Sequence, residues 1–474
     1  MAANRSTAMT TANLTPQDIL AQAEALRPQL KDGFRDEMVN AMYREAEHIA
    51  GRAVHARDNK KYDLDQRIDR LVTSPIFGLP IMLLLLAAVF WITIVGANYP
   101  SQMIGNALFW LEDQAAALFT SLGAPWWLTG FIWHGVYRGL AWVISVMLPP
   151  MAIFFPIFTI LEDLGYLPRI AFNLDWLFKK AGAHGKQALT MAMGFGCNAA
   201  GVVSTRVIDS PRERLIAILT NNFVPCNGRF PTLIMLATVF VAASFPPAVA
   251  SFVAAGAVVA VVLIGVFFTL LVSWLLSHTL LKGEASAFTL ELPPYRKPNV
   301  GRILYTSFID RTVFVLWRAL MTAAPAGAVI WLLGNINVGG ASLAQQIANF
   351  LNPLGVAIGL DGVILLAYII AIPANEIVVP TMMMVYTGVG MMTNIPSYGQ
   401  LYTLLVGGHG WTLLTAINLM LFSLLHNPCA TTIMTIYKET KSARWAALSV
   451  VITLGLAFLV TFITATVARS LGWA

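Results

Sequence analysis

Residues 187–207 read QALTMAMGFGCNAAGVVSTRV, an apolar stretch interrupted by Gly194, Gly196 and Gly201 and bracketed by Lys186 on one side and by Arg206, Arg212 and Arg214 on the other. Basic residues are retained on the cytoplasmic side of a bilayer, so both ends of the stretch belong to the same compartment. A segment that enters and leaves on one side is re-entrant or broken. Irregular backbone at membrane depth persists only where protein or a wet cavity satisfies its N–H and C=O groups.

The surrounding chain supports a membrane setting. Of 474 residues, 57% are hydrophobic and 11% charged, whereas a soluble domain carries about a quarter charged residues. No Lys or Arg occurs over 71–137, 230–281 or 319–437, which marks spans and outer loops. The formal charge of +6 comes from basic residues clustered at span ends. Retention beside an anionic inner leaflet accounts for them, and nucleic acid is excluded as a partner. The opening MAANRSTAMTTANLTPQ lacks the apolar core of a signal peptide, which keeps the amino terminus cytoplasmic. Three cysteines at wide spacing make no disulfide framework.

Six regions follow. Residues 1–74 form a cytosolic amino-terminal helical region, with Leu64, Ile68 and Leu71 at helical spacing. Residues 75–163 hold the first spans, about 76–95 and 139–161, joined by an outer amphipathic loop with Glu112, Asp113 and the interfacial anchors Trp126, Trp127 and Trp133. Residues 164–243 form a first repeat: a basic amphipathic helix (169–186), the interrupted stretch, then a crossing (215–243). A connecting span and cytosolic loop fill 244–312. A second repeat, 313–437, mirrors the first, and 438–474 is a final span.

Two internal echoes connect the repeats. GFGCNAAGVV (194–203) lies over AIPANEIVVP (371–380), which pairs Asn198 with Asn375, and FVPCNG (223–228) lies over HNPCAT (426–431), which pairs Cys226 with Cys429. The second interrupted stretch (363–386) has no basic flank. The fold class expected is therefore an all-α polytopic membrane protein with an inverted-topology repeat of broken or re-entrant helices, its site near the midplane where the repeats meet.

The polar residues at those breaks define a candidate site. Cys197, Cys226 and Cys429 all fall there, beside Asn198, Asn227 and Asn375. Glu376 is the one carboxylate far from the end of an apolar segment, where a charge costs several kcal/mol and is functional by default. Thiol, carboxylate and amide oxygen suit a borderline transition-metal ion better than Mg²⁺ or Ca²⁺. If 369–384 is helical, Pro380 frees the carbonyl of Glu376 and Pro373 that of Ile369. Likewise Pro231 frees Asn227, and Pro428 frees Leu424. His426, three residues before Cys429, is a further candidate ligand on the same helical face. Arg229 either neutralises Glu376 or snorkels to an end of its span. No G-x-x-x-x-G-K-[ST], catalytic triad signature or H-E-x-x-H occurs in the sequence, so neither an enzyme nor a nucleotide-binding chain is expected.

These residues resemble the membrane region of FeoB-type ferrous iron transporters. The resemblance is densest across LEDLGYLPRIAF (161–172), GFGCNAAGVVSTRVIDSPRERLIAIL (194–219) and FVPCNGRFPTLIM (223–235). It continues through NEIVVPTMMMVY (375–386) and NPCATTIM (427–434) and is announced by LDQRIDRLVTSPIFGLPIMLLL (64–85). It implies Fe²⁺ as transported substrate, carried along Cys197, Cys226 and Cys429 with Glu376 in the second gate-like motif, in a bacterial inner membrane. Family members commonly carry a fused amino-terminal GTPase, so the resemblance implies either a separately encoded small GTPase as partner or a relative that works without one; a homo-oligomer is compatible with the same reading. Two local departures stand out: Ala199-Ala200 replaces a frequent Val-Pro, and Pro-Cys-Asn-Gly-Arg (225–229) replaces Ser-Cys-Gly-Ala-Arg. The alternative reading is a permease for another divalent metal or for a nucleoside-like organic solute.

The charge pattern places the amino terminus, 282–302 and 438–444 in the cytoplasm, and 98–125 and 387–410 outside. Single cysteines in a cysteine-free background, labelled with an impermeant maleimide, test this. Labelling of position 290 from outside would overturn the orientation.

Overall fold

In the computed structural model, the described residues are 22, 34–53, 60–74, 76–283, 294–392 and 398–472. The chain divides into two compact units. The first comprises residues 1–64 with 286–289, and its described part is chiefly the exposed helix Phe34–Ala53. The second comprises residues 65–285 and 290–474 and is all-α apart from a two-residue antiparallel ladder pairing Asn337 with Ser342.

Among the described residues six helices are long and apolar enough to span a bilayer: Gly78–Ser121, Trp126–Asp163, Val249–His278, Val315–Asn335, Leu413–Thr440 and Ala443–Ser470. A seventh is formed if the bent pair Leu343–Ala357 and Gly362–Ile370, at 111°, counts as one span. Their surroundings differ. Two thirds (67%) of the most apolar window of Leu413–Thr440 is buried, against 19% for Gly78–Ser121, so the former is the most enclosed of the six and the latter the least.

The first helix departs from the sequence expectation. Instead of a span over 76–95 followed by an outer loop, one helix of 44 residues runs from Gly78 to Ser121. At about 1.5 Å per residue it is roughly 66 Å long, twice the hydrocarbon thickness. Its distal part is rich in Ala and Leu, and Pro100 does not end it. Glu112, which read as an outer polar residue, is fully buried. Its Oε1 accepts from Arg138 Nη1 (2.9 Å) and lies 2.6 Å from His134 Nδ1. Both partners come from the second long helix, so an internal ion pair was mistaken for a solvated face. That second helix crosses Phe314–Asn335 closely because Gly130, Gly135 and Gly139 leave room: a Cβ on Gly130 would stand 2.6 Å from the Trp331 ring, and one on Gly139 3.0 Å from Gly327 Cα.

Two helical hairpins are folded into the bundle. Gln187–Gly196 and Asn198–Ser204 form the first, and its ends meet where Lys186 Nζ donates to Asp209 Oδ2 and to Val207 O, both at 3.0 Å. Hydrogen bonding to that ammonium holds the Asp209 carboxyl below the usual carboxylate range. Gly362–Ile370 and Val378–Thr387 form the second. Its ends meet where the Tyr386 hydroxyl donates to Asp361 Oδ2, while Asp361 Oδ1 caps the first helix through the Ile364 amide at 2.8 Å. The two ends of each interrupted stretch thus lie together.

At the base, helix Tyr166–Lys180 leads into the first hairpin. Its Arg169, 1% exposed, makes a bidentate pair with Asp69 (3.0 and 3.1 Å) and lies 4.1 Å from the Tyr295 ring centroid. Asn173 Nδ2 adds a bond to Val72 O at 2.9 Å. A second charged cluster joins Glu439 to Arg206 (2.9 and 2.6 Å) and Arg214 (3.0 Å).

Removing one partner of a buried ion pair is strongly disruptive. Asp69→Ala is therefore expected to detach helix Lys60–Val72, read as several-fold faster trypsin cleavage at Arg67 and Arg70. Unchanged cleavage would show that the Asp69–Arg169 pair does not hold this helix.

Candidate functional site

Each candidate residue sits where a helix stops. In the first hairpin the break is one extended residue, Cys197 (φ −156°, ψ 125°), between Gly196 and the helix that starts at Asn198. In the second it falls at Ala374 (φ −151°, ψ 117°), the residue aligned with Cys197 by the internal echo. Residues 369–384 are therefore not one helix: the chain is broken at 371–374, and Glu376 lies in the short 3₁₀ turn Asn375–Ile377.

The two crossings are broken as well. Pro211–Thr220 gives way to extended Val224 and the Pro225-Cys226 turn before the helix restarts at Phe230. Leu413–Leu425 ends at His426, and a new helix starts at Ala430 directly after Cys429. Proline in each break withholds an N–H and prevents an uninterrupted helix.

Backbone bonds draw the four breaks together. Asn227 N–H donates to Gly196 O at 3.4 Å, and Ala430 N–H, at the aligned position, donates to Ile372 O at 2.8 Å. Around them Asn198 Nδ2 meets Asn222 Oδ1 at 3.0 Å, Asn222 Nδ2 donates to His426 O at 2.8 Å, and His426 Nε2 lies 3.3 Å from Asn375 Oδ1. One chain of side chains links both hairpins through both crossings.

Within this frame each of the three thiols and Glu376 occupies a different break: Cys197 in the first hairpin, Glu376 in the second, and Cys226 and Cys429 in the two crossings. Cys226 is buried, while Cys197, Cys429 and Glu376 are partly exposed. The Glu376 carboxylate lies directly over Gly228, where an added Cβ would stand 2.2 Å from Oε1. The Cys429 thiol is 3.2 Å from Thr432 Oγ1. Among the described residues, no three His, Cys, Asp or Glu side chains are grouped closely enough to hold a metal ion. The donors sit on separate helix breaks and do not close into a cage.

Several expectations are corrected by these contacts. The carbonyl of Glu376 accepts from Trp142 Nε1 at 3.3 Å, that of Leu424 from Arg229 Nη1 at 2.8 Å, and that of Ile369 from the Ile372 amide at 3.4 Å. Three of the proline-freed carbonyls are thus occupied by protein. Arg229 neither pairs with Glu376 nor snorkels: it is 1% exposed, and among the described residues it forms no ion pair. His426 and Cys429 do not share a helix, and both His426 ring nitrogens have protein neighbours, Ser423 O at 2.9 Å and Asn375.

Other residues were missed. Trp142 gives no sequence signal, whereas the buried pair Asn221-Asn222 stands out once the crossing is recognised as apolar. The Asn221 side chain wedges between the arms of the first hairpin. A Cβ on Gly201 would stand 2.4 Å from its Nδ2, and one on Gly194 3.2 Å from its Oδ1.

Comparisons with known proteins agree with this geometry. The Gate family model, described as nucleoside recognition, matches residues 144–255 and 316–443, a span that contains every broken segment. The model for the ferrous iron transport protein B C terminus matches residues 258–310. An Fe(2+) transporter FeoB of Staphylococcus aureus (strain MSSA476) is 28% identical over 473 residues, covering 96% of this chain and 68% of that protein. Its namesake in Synechocystis is 29% identical over 411 residues (86% and 63%), and that of Legionella pneumophila 28% over 372 (76% and 48%). No solved structure matches.

Gly201→Ala is expected to destabilise the protein by about 1–3 kcal/mol through overpacking against Asn221. Gly256, whose Cβ would meet nothing within 4 Å, provides the neutral control. Equal thermal unfolding of the two alanine variants would contradict the wedge.

Proposed function

The chain belongs to the Gate family, in the form that carries the ferrous iron transport protein B C-terminal segment, and we propose that it is the membrane permease part of a ferrous iron transport system of the bacterial inner membrane. The observation that carries this reading is the convergence of three thiols and one carboxylate on four helix breaks. A dehydrated divalent cation in hydrocarbon needs opposing charge and donor atoms. Glu376 supplies the charge. Arg229 forms no ion pair with Glu376; its guanidinium is hydrogen-bonded to neutral oxygens of the helix breaks.

The open arrangement suits passage. A closed tetrahedral set of thiolates binds tightly and belongs to structural sites, and affinity alone favours Cu²⁺ and Zn²⁺ over Fe²⁺. Donors that do not close into one cage hold the ion weakly and in sequence. On this reading Glu376 and Cys429, both partly exposed, receive the ion, Cys226 is the buried donor between the repeats, and Cys197 with Asn198 lies on the facing hairpin. Asn227 and Asn375 supply amide oxygens.

We read the two halves as an inverted-topology repeat. The support is the shared extended conformation of Cys197 and Ala374, the matching bonds from Asn227 and Ala430, and hairpin ends basic in one half and uncharged or acidic in the other. The family resemblance also implies regulation by a separately encoded small GTPase acting through the polar amino-terminal region. The thiols argue against a nucleoside-like solute, which has no need of them.

Purified protein in vesicles tests the proposal. Cys226→Ser, Cys429→Ser and Glu376→Gln are each expected to lower Fe²⁺ flux roughly tenfold or more, the scale of effect seen when groups supporting a metal site are lost, at unchanged abundance. Parental flux in all three variants would sink the proposed site.

A further inference from the structure

Arg229 is fully buried in the middle of a cation path, and none of its oxygen partners is a carboxylate. Its Nη1 donates to Asn222 O and Leu424 O, both at 2.8 Å. Its Nη2 donates to His426 O at 3.0 Å, and to Asn222 Oδ1 and Asn427 O at 3.3 Å. An uncompensated positive charge there opposes cation binding, so its role calls for an explanation other than charge.

The acceptors supply one. Two are on Asn222, four residues before Cys226, and three lie at Leu424, His426 and Asn427, in the turn that leads to Cys429. Pro428 leaves the Leu424 carbonyl without a helical N–H, and the guanidinium fills that vacancy. Arg229 is itself fixed to the first break, since its backbone N–H donates to Cys226 O at 2.9 Å. Asn222 reinforces the link through its own bond to His426 O at 2.8 Å. A rigid planar fork reaches all five oxygens at once; a lysine ammonium has three donors on a flexible stem and cannot serve all of them.

We propose that Arg229 and Asn222 are positioning residues that together form a clamp between the two crossings. The clamp holds Cys226 and Cys429 opposite each other by the shape of its hydrogen bonds, independently of its charge. This goes beyond the transport reading, which gives neither residue such a part.

The test needs no metal, so its outcome is separate from that of the flux measurements. In a Cys197→Ser protein, dibromobimane bridges Cys226 and Cys429 and fluoresces only after both thiols have reacted. The parent is expected to cross-link. In Arg229→Lys and Asn222→Leu, yield per monodisperse protein is expected to fall about tenfold, as loss of hydrogen bonds to a charged group implies. A parent that does not cross-link, or Arg229→Lys at the parental yield, would overturn the clamp; the latter would show that charge alone suffices. If Arg229→Lys does not yield folded protein, Asn222→Leu decides alone, since it keeps Arg229 and its charge: parental yield there is equally fatal.

Discussion

Backbone that leaves helical geometry inside a bilayer exposes N–H and C=O groups to a medium that offers no partners. This constraint governs the protein. Four segments break, and bonds link the breaks to one another, Asn227 to Gly196, Ala430 to Ile372 and Arg229 to Leu424, while Trp142 of a neighbouring helix donates to Glu376. The breaks support one another, so the residues beside them, three cysteines and a glutamate, are carried on linked turns without forming a closed metal-binding group among the described residues.

Glycine makes this convergence sterically feasible. At Gly196 an added Cβ would stand 2.7 Å from the Phe154 ring, at Gly201 it would meet the Asn221 amide, and at Gly228 the Glu376 carboxylate. None of these three has a positive φ. Each is needed for space, not for unusual backbone, so the position of Glu376 depends on a side chain that is missing.

Much of this was legible in the sequence. Low charge marked the spans, glycine and proline marked the breaks, and the flanking basic residues fit a first hairpin whose two ends lie together. Local patterns were less informative about long-range partners. Glu112 looked solvated because His134 and Arg138, which bury it, lie on another helix. The carbonyls beside prolines looked like ligands because nothing local indicates that Trp142 or Arg229 will reach them. The purpose of Asn222 emerges only when both crossings are adjacent. Periodicity reads the near side of a contact, and the far side belongs to the fold.

The ion cluster at Glu439 has a mechanical consequence. Helices Asn198–Ser204 and Ala430–Thr440 begin directly after Cys197 and Cys429, pack through Val202 and Ile436, and end where Arg206 meets Glu439. At their inner ends they are stitched by hydrogen bonds among neutral groups and one buried guanidinium, which salt in the surrounding water does not reach. At their outer ends they are fastened by charges, with the Arg206 side chain 64% exposed, where ionic screening acts over about 8 Å at physiological strength. The pair therefore resembles a book whose spine lies in the membrane and whose clasp is wetted by the surrounding electrolyte: it parts most readily from the aqueous edge.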